Sequence, residues 1–279
     1  MKLNMDIDNL RLRLKTVLLI LPAFLLPVFL GGIYFEIFLI FLSLILFYEL
    51  TIIINYSHKK IAITVFLFSL ILSLIILKNF PGITHTICLA IMLMGSIFIR
   101  LFIRTSMWFI AISSYSYMAF LIFHQLRLQD NLLDGLFSLL LIIFIAIISD
   151  TSGYLGGQLA GRKKIFPNLS PNKTVEGTLF AVFIPTLFFF VIFMLYGVNS
   201  NSIALSFFIL LITIGAILGD MLGSFFKRSF SFKNSSDLLP GHGGLLDRLD
   251  SVIGSGIAFL ILANIVSNTN YENILYFWR

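Results

Sequence analysis

The sequence predicts an all-α, polytopic integral membrane protein of about nine transmembrane helices with a cytoplasmic N-terminus. Composition is the first reason: a mean hydropathy of +1.02, with 59% hydrophobic and 11% charged residues, lies outside the range of soluble domains. The second is the distribution of the apolar residues, which fall into runs of near-spanning length separated by short polar stretches. The third is charge placement: with the N-terminus inside, sixteen of the nineteen Lys and Arg residues fall on the cytoplasmic side, and only Lys78, Arg127 and Arg279 fall outside. The net charge of +6 is therefore explained by topology, and no nucleic-acid partner is expected.

The runs cover residues 16–30, 33–54, 61–77, 83–99, 107–123, 136–157, 178–197, 203–222 and 251–267. Arg11, Arg13 and Lys15 precede the first run as they would a signal peptide, but no small-residue cleavage site follows, and Pro22 and Pro27 lead into the next run. It is read as a retained helix. The first five spans, residues 1–130, carry little chemistry. Glu36 and Glu49 lie near the ends of the second, where a carboxylate reaches interfacial water. His85 and His124 have no metal-type neighbour at helical spacing and read as structural, and Trp108, Tyr115 and Tyr117 read as packing or interface residues. Cys88 is the single cysteine, which excludes an internal disulfide.

From residue 131 to 279 the chain changes character. Asp150 follows a long apolar stretch, and a carboxylate at that depth needs a partner, a cation or a proton. Gly153, Gly157 and Gly161 recur every four residues, as do Gly215, Gly219 and Gly223, making ridges on which helices pack closely. The expectation is that spans six, eight and nine meet along them and bring Asp150 towards Asp220 and Asp247. Between spans six and seven, Ser170 followed by Pro171 predicts a helix start, with Lys173 at its third position. A cation there opposes the helix dipole unless both serve to hold an anion.

Residues 220–251 carry four acids, four Lys or Arg and one His. On a helix, Asp220, Ser224, Lys227 and Arg228 share one face. The glycines of Pro240-Gly241-His242-Gly243-Gly244 let backbone approach a ligand, and a further helix is predicted from near Asp247, with Asp250 and Ser251 on the same turn. Hard carboxylate oxygens without cysteine suit Mg²⁺, and the surrounding cations suit a polyphosphate. The residues ask for a nucleotide and a metal at a membrane surface.

The spacing resembles that of phosphatidate cytidylyltransferases, also called CDP-diacylglycerol synthases. Ser224, Lys227, Arg228, Lys233, Pro240, Gly241, His242, Gly243, Gly244, Asp247, Arg248 and Asp250 match the family pattern S-x-x-K-R-x4-K-D-x5-P-G-H-G-G-x-x-D-R-x-D, with Asn234 where the pattern has Asp. Asp150, Gly153, Tyr154 and Gly157 are similar to its D-x-x-x-Y region, and Ser170, Pro171, Lys173, Thr174, Glu176 and Gly177 to its S-P-x-K-T-x-E-G region. The likeness covers the C-terminal half; the N-terminal half resembles the family only as generic spans.

The resemblance implies a nucleotidyltransferase of the cell membrane that joins CTP and phosphatidic acid into CDP-diacylglycerol and pyrophosphate, with its active site on the cytoplasmic side. It implies Asp220, Asp247 and Asp250 as Mg²⁺ ligands, with room for a second cation, and Asp220, Asp247, Lys227 and His242 as the catalytic group. Ser224, Arg228, Lys233, Arg248 and Asp150 would bind substrate, and Lys173 the lipid phosphate. The expected partners are membrane lipids and a second copy in a homodimer. A CTP-dependent prenol kinase, a CDP-archaeol-type synthase and an ion-coupled transporter remain open as alternatives.

Overall fold

The computed structural model describes residues 22–79, 85–103, 106–127, 132–167, 169–195, 202–236, 238 and 243–267. The helices are α1 (Gly32–Ile53), α2 (Lys59–Asn79), α3 (His85–Ile103), α4 (Trp108–Arg127), α5 (Leu132–Ala160), α6 (Val175–Leu195), α7 (Ser202–Ser229) and α8 (Leu246–Ser267), and a helical stretch 22–30 precedes them. Among the described residues there is no strand; Lys164 and Thr174 form an isolated antiparallel bridge. Six helices, namely α1, α2, α4, α5, α6 and α7, are long and apolar enough to cross a membrane, and α3 contains the shorter apolar stretch Ile87–Leu101. The chain is thus an all-α, polytopic membrane protein. The first expected span lies partly outside the described residues.

The chain divides into two compact units. The first comprises residues 1–125 and, returning from far along the sequence, 230–247. Its helix α1 starts behind Gly31 and Gly32, whose positive φ of 65° and 51° suits residues without Cβ, and stops at Asn55, which takes the left-handed conformation that ends helices. Inside the unit Phe47 stacks on Phe66 at 4.2 Å and Tyr56 on Phe109 at 5.0 Å. Tyr117 is fully buried and its hydroxyl is hydrogen-bonded to Ser73. His85 and His124 meet each other, Nε2 to Nδ1, at 3.2 Å. Phe230, in the returning segment, packs edge-on against Trp108 of α4 at 5.1 Å.

The second unit comprises residues 126–229 and 248–279. Glycine governs its packing, because apolar side chains have no hydrophobic drive to associate in lipid and close backbone approach supplies the attraction instead. One of the two ridges has a different partner from that expected. Gly153 and Gly157 of α5 face Gly177 and Ala181 of α6: a Cβ at Gly153 would come within 3.0 Å of the Ala181 methyl. Gly215, Gly219 and Gly223 of α7 face Gly254, Ala258 and Asp250 of α8, and a Cβ at Gly219 would stand 2.8 Å from the Gly254 Cα. The first ridge therefore joins span six to span seven, and only the second joins spans eight and nine.

The start of α6 also differs. The helix begins at Val175, four residues later than the Ser-Pro pair suggested, because Thr174 is the cap: its Oγ1 accepts the Gly177 N–H at 3.1 Å. Ser170 instead closes a turn through the Lys173 N–H at 3.2 Å. Glu176, in the first helical turn, accepts the backbone N–H of Arg162 at 2.9 Å and so fixes the chain leaving α5.

Candidate active site

The second unit gathers acids from three helices. Asp150 projects from α5, Asp220 from α7 and Asp250 from the start of α8. Asp150 and Asp220 line one cavity of about 630 Å³ together with Tyr154, Lys164, Ser170, Asn172 and Lys173. Its wall is the small-residue face of α5 and α6, including Gly153, Gly157 and Gly177.

Each acid is held separately. The Ser251 hydroxyl lies 3.2 and 3.0 Å from the two oxygens of Asp150 and donates across them. Asp220 is ion-paired with Lys173. That lysine stands at the end of a loop drawn tight by two backbone bonds, Ile165 N–H to the Lys173 carbonyl at 3.3 Å and Val175 N–H to the Lys163 carbonyl at 2.9 Å. Asp250 is 5% exposed and lies against the groove left by Gly223, where a Cβ would come within 2.7 Å of its Oδ2. Asp220 and Asp150 both repel the Asp250 carboxylate, and the buried ammonium of Lys227 offsets this. Lys173 and Arg248 both attract the Asp150 carboxylate.

A second acidic node belongs to the first unit and centres on Asp247. Its Oδ2 accepts the backbone N–H of Ser235 at 3.0 Å, the Ser235 hydroxyl at 3.2 Å and the Gly244 N–H at 3.1 Å. Gly243, at φ +82°, makes the turn that brings Gly244 there. Glu49 lies beside it. It is fully buried, which corrects the reading of a carboxylate reaching interfacial water, and it bonds to Ser235, Ser236, Leu245 and Leu246. Glu36 pairs with Lys78 at 4.0 Å.

Of the residues singled out by sequence, Asp220, Ser224, Lys227 and Arg228 share α7 as expected, with Lys227 buried and Arg228 donating from Nε to the Leu169 carbonyl at 3.3 Å. Lys233 and Asn234 are exposed in the turn after α7. His242, with Pro240 and Gly241, lies outside the described residues. Helix α8 begins at Leu246, one residue before Asp247, so the predicted helix start is right to a residue. Glu49, Ser235 and Ser236 escaped sequence reasoning. The available signal was Glu49 itself, an acid inside an apolar run, where a polar group needs a partner.

Among the described residues no three His, Cys, Asp or Glu side chains stand close enough to hold a metal by themselves. The donor set nevertheless fits Mg²⁺, which takes hard oxygens and is commonly held by one or two carboxylates plus substrate phosphates. Asp220 and Asp250, two carboxylates that repel each other across a partly buried site, are such a pair.

Comparison with known proteins gives a consistent result. The family model described as "Cytidylyltransferase family" matches residues 11–266. Phosphatidate cytidylyltransferase of Staphylococcus haemolyticus is 38% identical over 118 residues, 42% of this chain and 45% of that protein. The Staphylococcus aureus protein of the same name is 36% identical over 138 residues, 50% of this chain and 51% of that protein, and the Staphylococcus epidermidis protein matches with the same identity and coverage. The chain spans about half the length of the curated relatives it matches.

Proposed function

The chain belongs to the cytidylyltransferase family, and from that premise we propose that it joins CTP and phosphatidic acid to give CDP-diacylglycerol and pyrophosphate. The observation that carries the reading is the cavity of the second unit, which Asp150 and Asp220 of two membrane helices line together with Lys164 and Lys173 from the connection between α5 and α6. Acids and amines together suit a reaction between two anions.

In that reaction a phosphate oxygen of phosphatidic acid attacks the α-phosphorus of CTP. The bond from that phosphorus to the β-phosphate's bridging oxygen breaks, and pyrophosphate leaves with the electron pair. The nucleophile is already ionised, so no general base is required. The barrier is chiefly the approach of like charges, which fixed cations lower. Asp220 and Asp250 would hold Mg²⁺, whose contribution there is to neutralise charge on the triphosphate oxygens.

Lys173 has the second task. Its ammonium is committed to Asp220 in the structure, and an incoming phosphate competes for it. Moving Lys173 onto the lipid phosphate frees an Asp220 oxygen for the cation, so lipid binding and cation binding assist each other. Lys227 keeps the Asp250 carboxylate from standing unopposed, and Lys164 extends the positive lining. Arg248, exposed at the start of α8, is suited to the triphosphate. The positive-inside pattern supports an active site on the cytoplasmic face of the cell membrane.

The test uses purified protein in lipid–detergent micelles with phosphatidic acid, Mg²⁺ and CTP labelled at the α-phosphate. Label should enter the organic phase as a CDP-lipid. Folded protein that yields none, with prenols and archaeal-type lipids also tried as acceptors, would overturn the reading.

A further inference from the structure

Glu49 has no place in the mechanism above, yet its carboxylate accepts four hydrogen bonds. It is fully buried near the end of α1. Its Oε1 accepts the Leu245 N–H at 2.8 Å and the Ser236 hydroxyl at 2.5 Å; its Oε2 accepts the Leu246 N–H at 2.9 Å and the Ser235 hydroxyl at 3.2 Å. The first turn of a helix has N–H groups with no partner inside the helix, and they are usually met by a side chain just before it. Here the cap of α8 comes from a residue 197 positions earlier.

The arrangement leaves no slack. A Cβ on Gly244 would collide with the Ser235 hydroxyl and stand 2.7 Å from Glu49 Oε1. The hydroxyl of Ser235 lies 3.2 Å from Glu49 Oε2 and 3.2 Å from Asp247 Oδ2, so one proton is shared between the two carboxylates. Glu49 thus touches two groups that hold Asp247: Ser235 directly, and Gly244 through the space only a glycine leaves.

We infer that Glu49 is a positioning residue for cytidylyl transfer: it caps α8, whose first turn carries Arg248, the residue proposed for the triphosphate, and through Ser235 it sets Asp247 and the turn at Gly243-Gly244. The inference rests on the proposed function for its kinetic consequence but not for its structural one. Replacement by glutamine keeps the shape and puts an NH₂ donor against one of the two backbone N–H groups, which cannot accept, and so tests the acceptor role without emptying the site.

Two measurements on Glu49→Gln decide the matter. Backbone amide exchange of the peptide covering residues 243–247 should rise about tenfold or more relative to the parent protein, and the Michaelis constant for CTP should rise by about tenfold, with Glu49→Asp falling between the two. Loss of folded protein lowers kcat alone, so the change in Michaelis constant separates positioning from general damage. Ser235→Ala removes a single link, keeps the helix cap, and should show the kinetic effect with a smaller exchange effect; it decides the question if Glu49→Gln does not fold. Parent-like exchange and a parent-like constant in either folded variant would overturn the inference. If the parent protein makes no CDP-lipid, the proposed reaction fails instead, and the exchange result still stands or falls alone.

Discussion

Asp250 is enclosed among two other acids, a buried lysine and the bare face of Gly223, and its charge therefore depends on what reaches it. Removing that charge should remove the seat for the cation: Asp250→Asn, like Asp220→Asn, is expected to lower labelled CDP-lipid formation by about 100-fold or more in protein that elutes as the parent does. Ser251→Ala is a gentler test. It takes away the hydroxyl that bridges both oxygens of Asp150, and about a tenfold fall in kcat is expected from one lost hydrogen bond to a charged group. These acids were legible in the sequence because charge inside an apolar run needs a reason. Their partners were not: nothing in spacing says that Ser251 serves Asp150 or that Lys173 serves Asp220. Glu49 was misread for the same cause. Its place near a helix end suggests water, and only tertiary contact with residues 235–246 reveals the donors that replace it.

Helix positions, set by period and hydropathy, followed the sequence closely; helix pairing followed it only in part. A glycine ridge states that a neighbour comes close without naming it, and so the Gly153–Gly157 face was assigned to the wrong partner. The ridge on α7 makes a sharp prediction. Gly219→Ala would drive a methyl into the backbone of α8 at Asp250 and Gly254, where no flexible side chain can yield. A loss of about 1–3 kcal/mol is expected, seen as a lower midpoint of thermal unfolding in detergent. Gly95 in α3 is the control: nothing lies within 4 Å of its added Cβ, so Gly95→Ala should leave the midpoint unchanged or raise it slightly. If both glycines behave alike, close backbone approach is not what holds α7 to α8. The start of α6 carries a similar lesson, since both Ser170 and Thr174 can cap and only the bridge between Lys164 and Thr174 selects the second.

At the scale of the molecule the charge asymmetry predicts an orientation, and orientation is directly measurable. In a Cys88→Ala background, Lys164→Cys is expected to react with a membrane-impermeant maleimide in inverted vesicles and not in right-side-out ones, because Lys164 is exposed and belongs to the face rich in cations. Labelling from the outside would reverse the predicted topology and count against the proposed use of CTP from the cytosol. Cys88, 1% exposed, should be silent in both preparations of the parent protein.

The carboxylate near the end of α1 meets its donors only when residues 235–246 exist. A ribosome adding about 5–20 residues per second needs roughly 10–40 s to get from one to the other. Throughout that interval Glu49 lacks the four donors it has in the folded protein, and the segment that supplies them has yet to leave the tunnel. Biogenesis of this protein therefore includes a waiting period with a defined end, and a nascent chain arrested before residue 235 should be far more open to proteases and membrane quality control than one arrested beyond the end of α8.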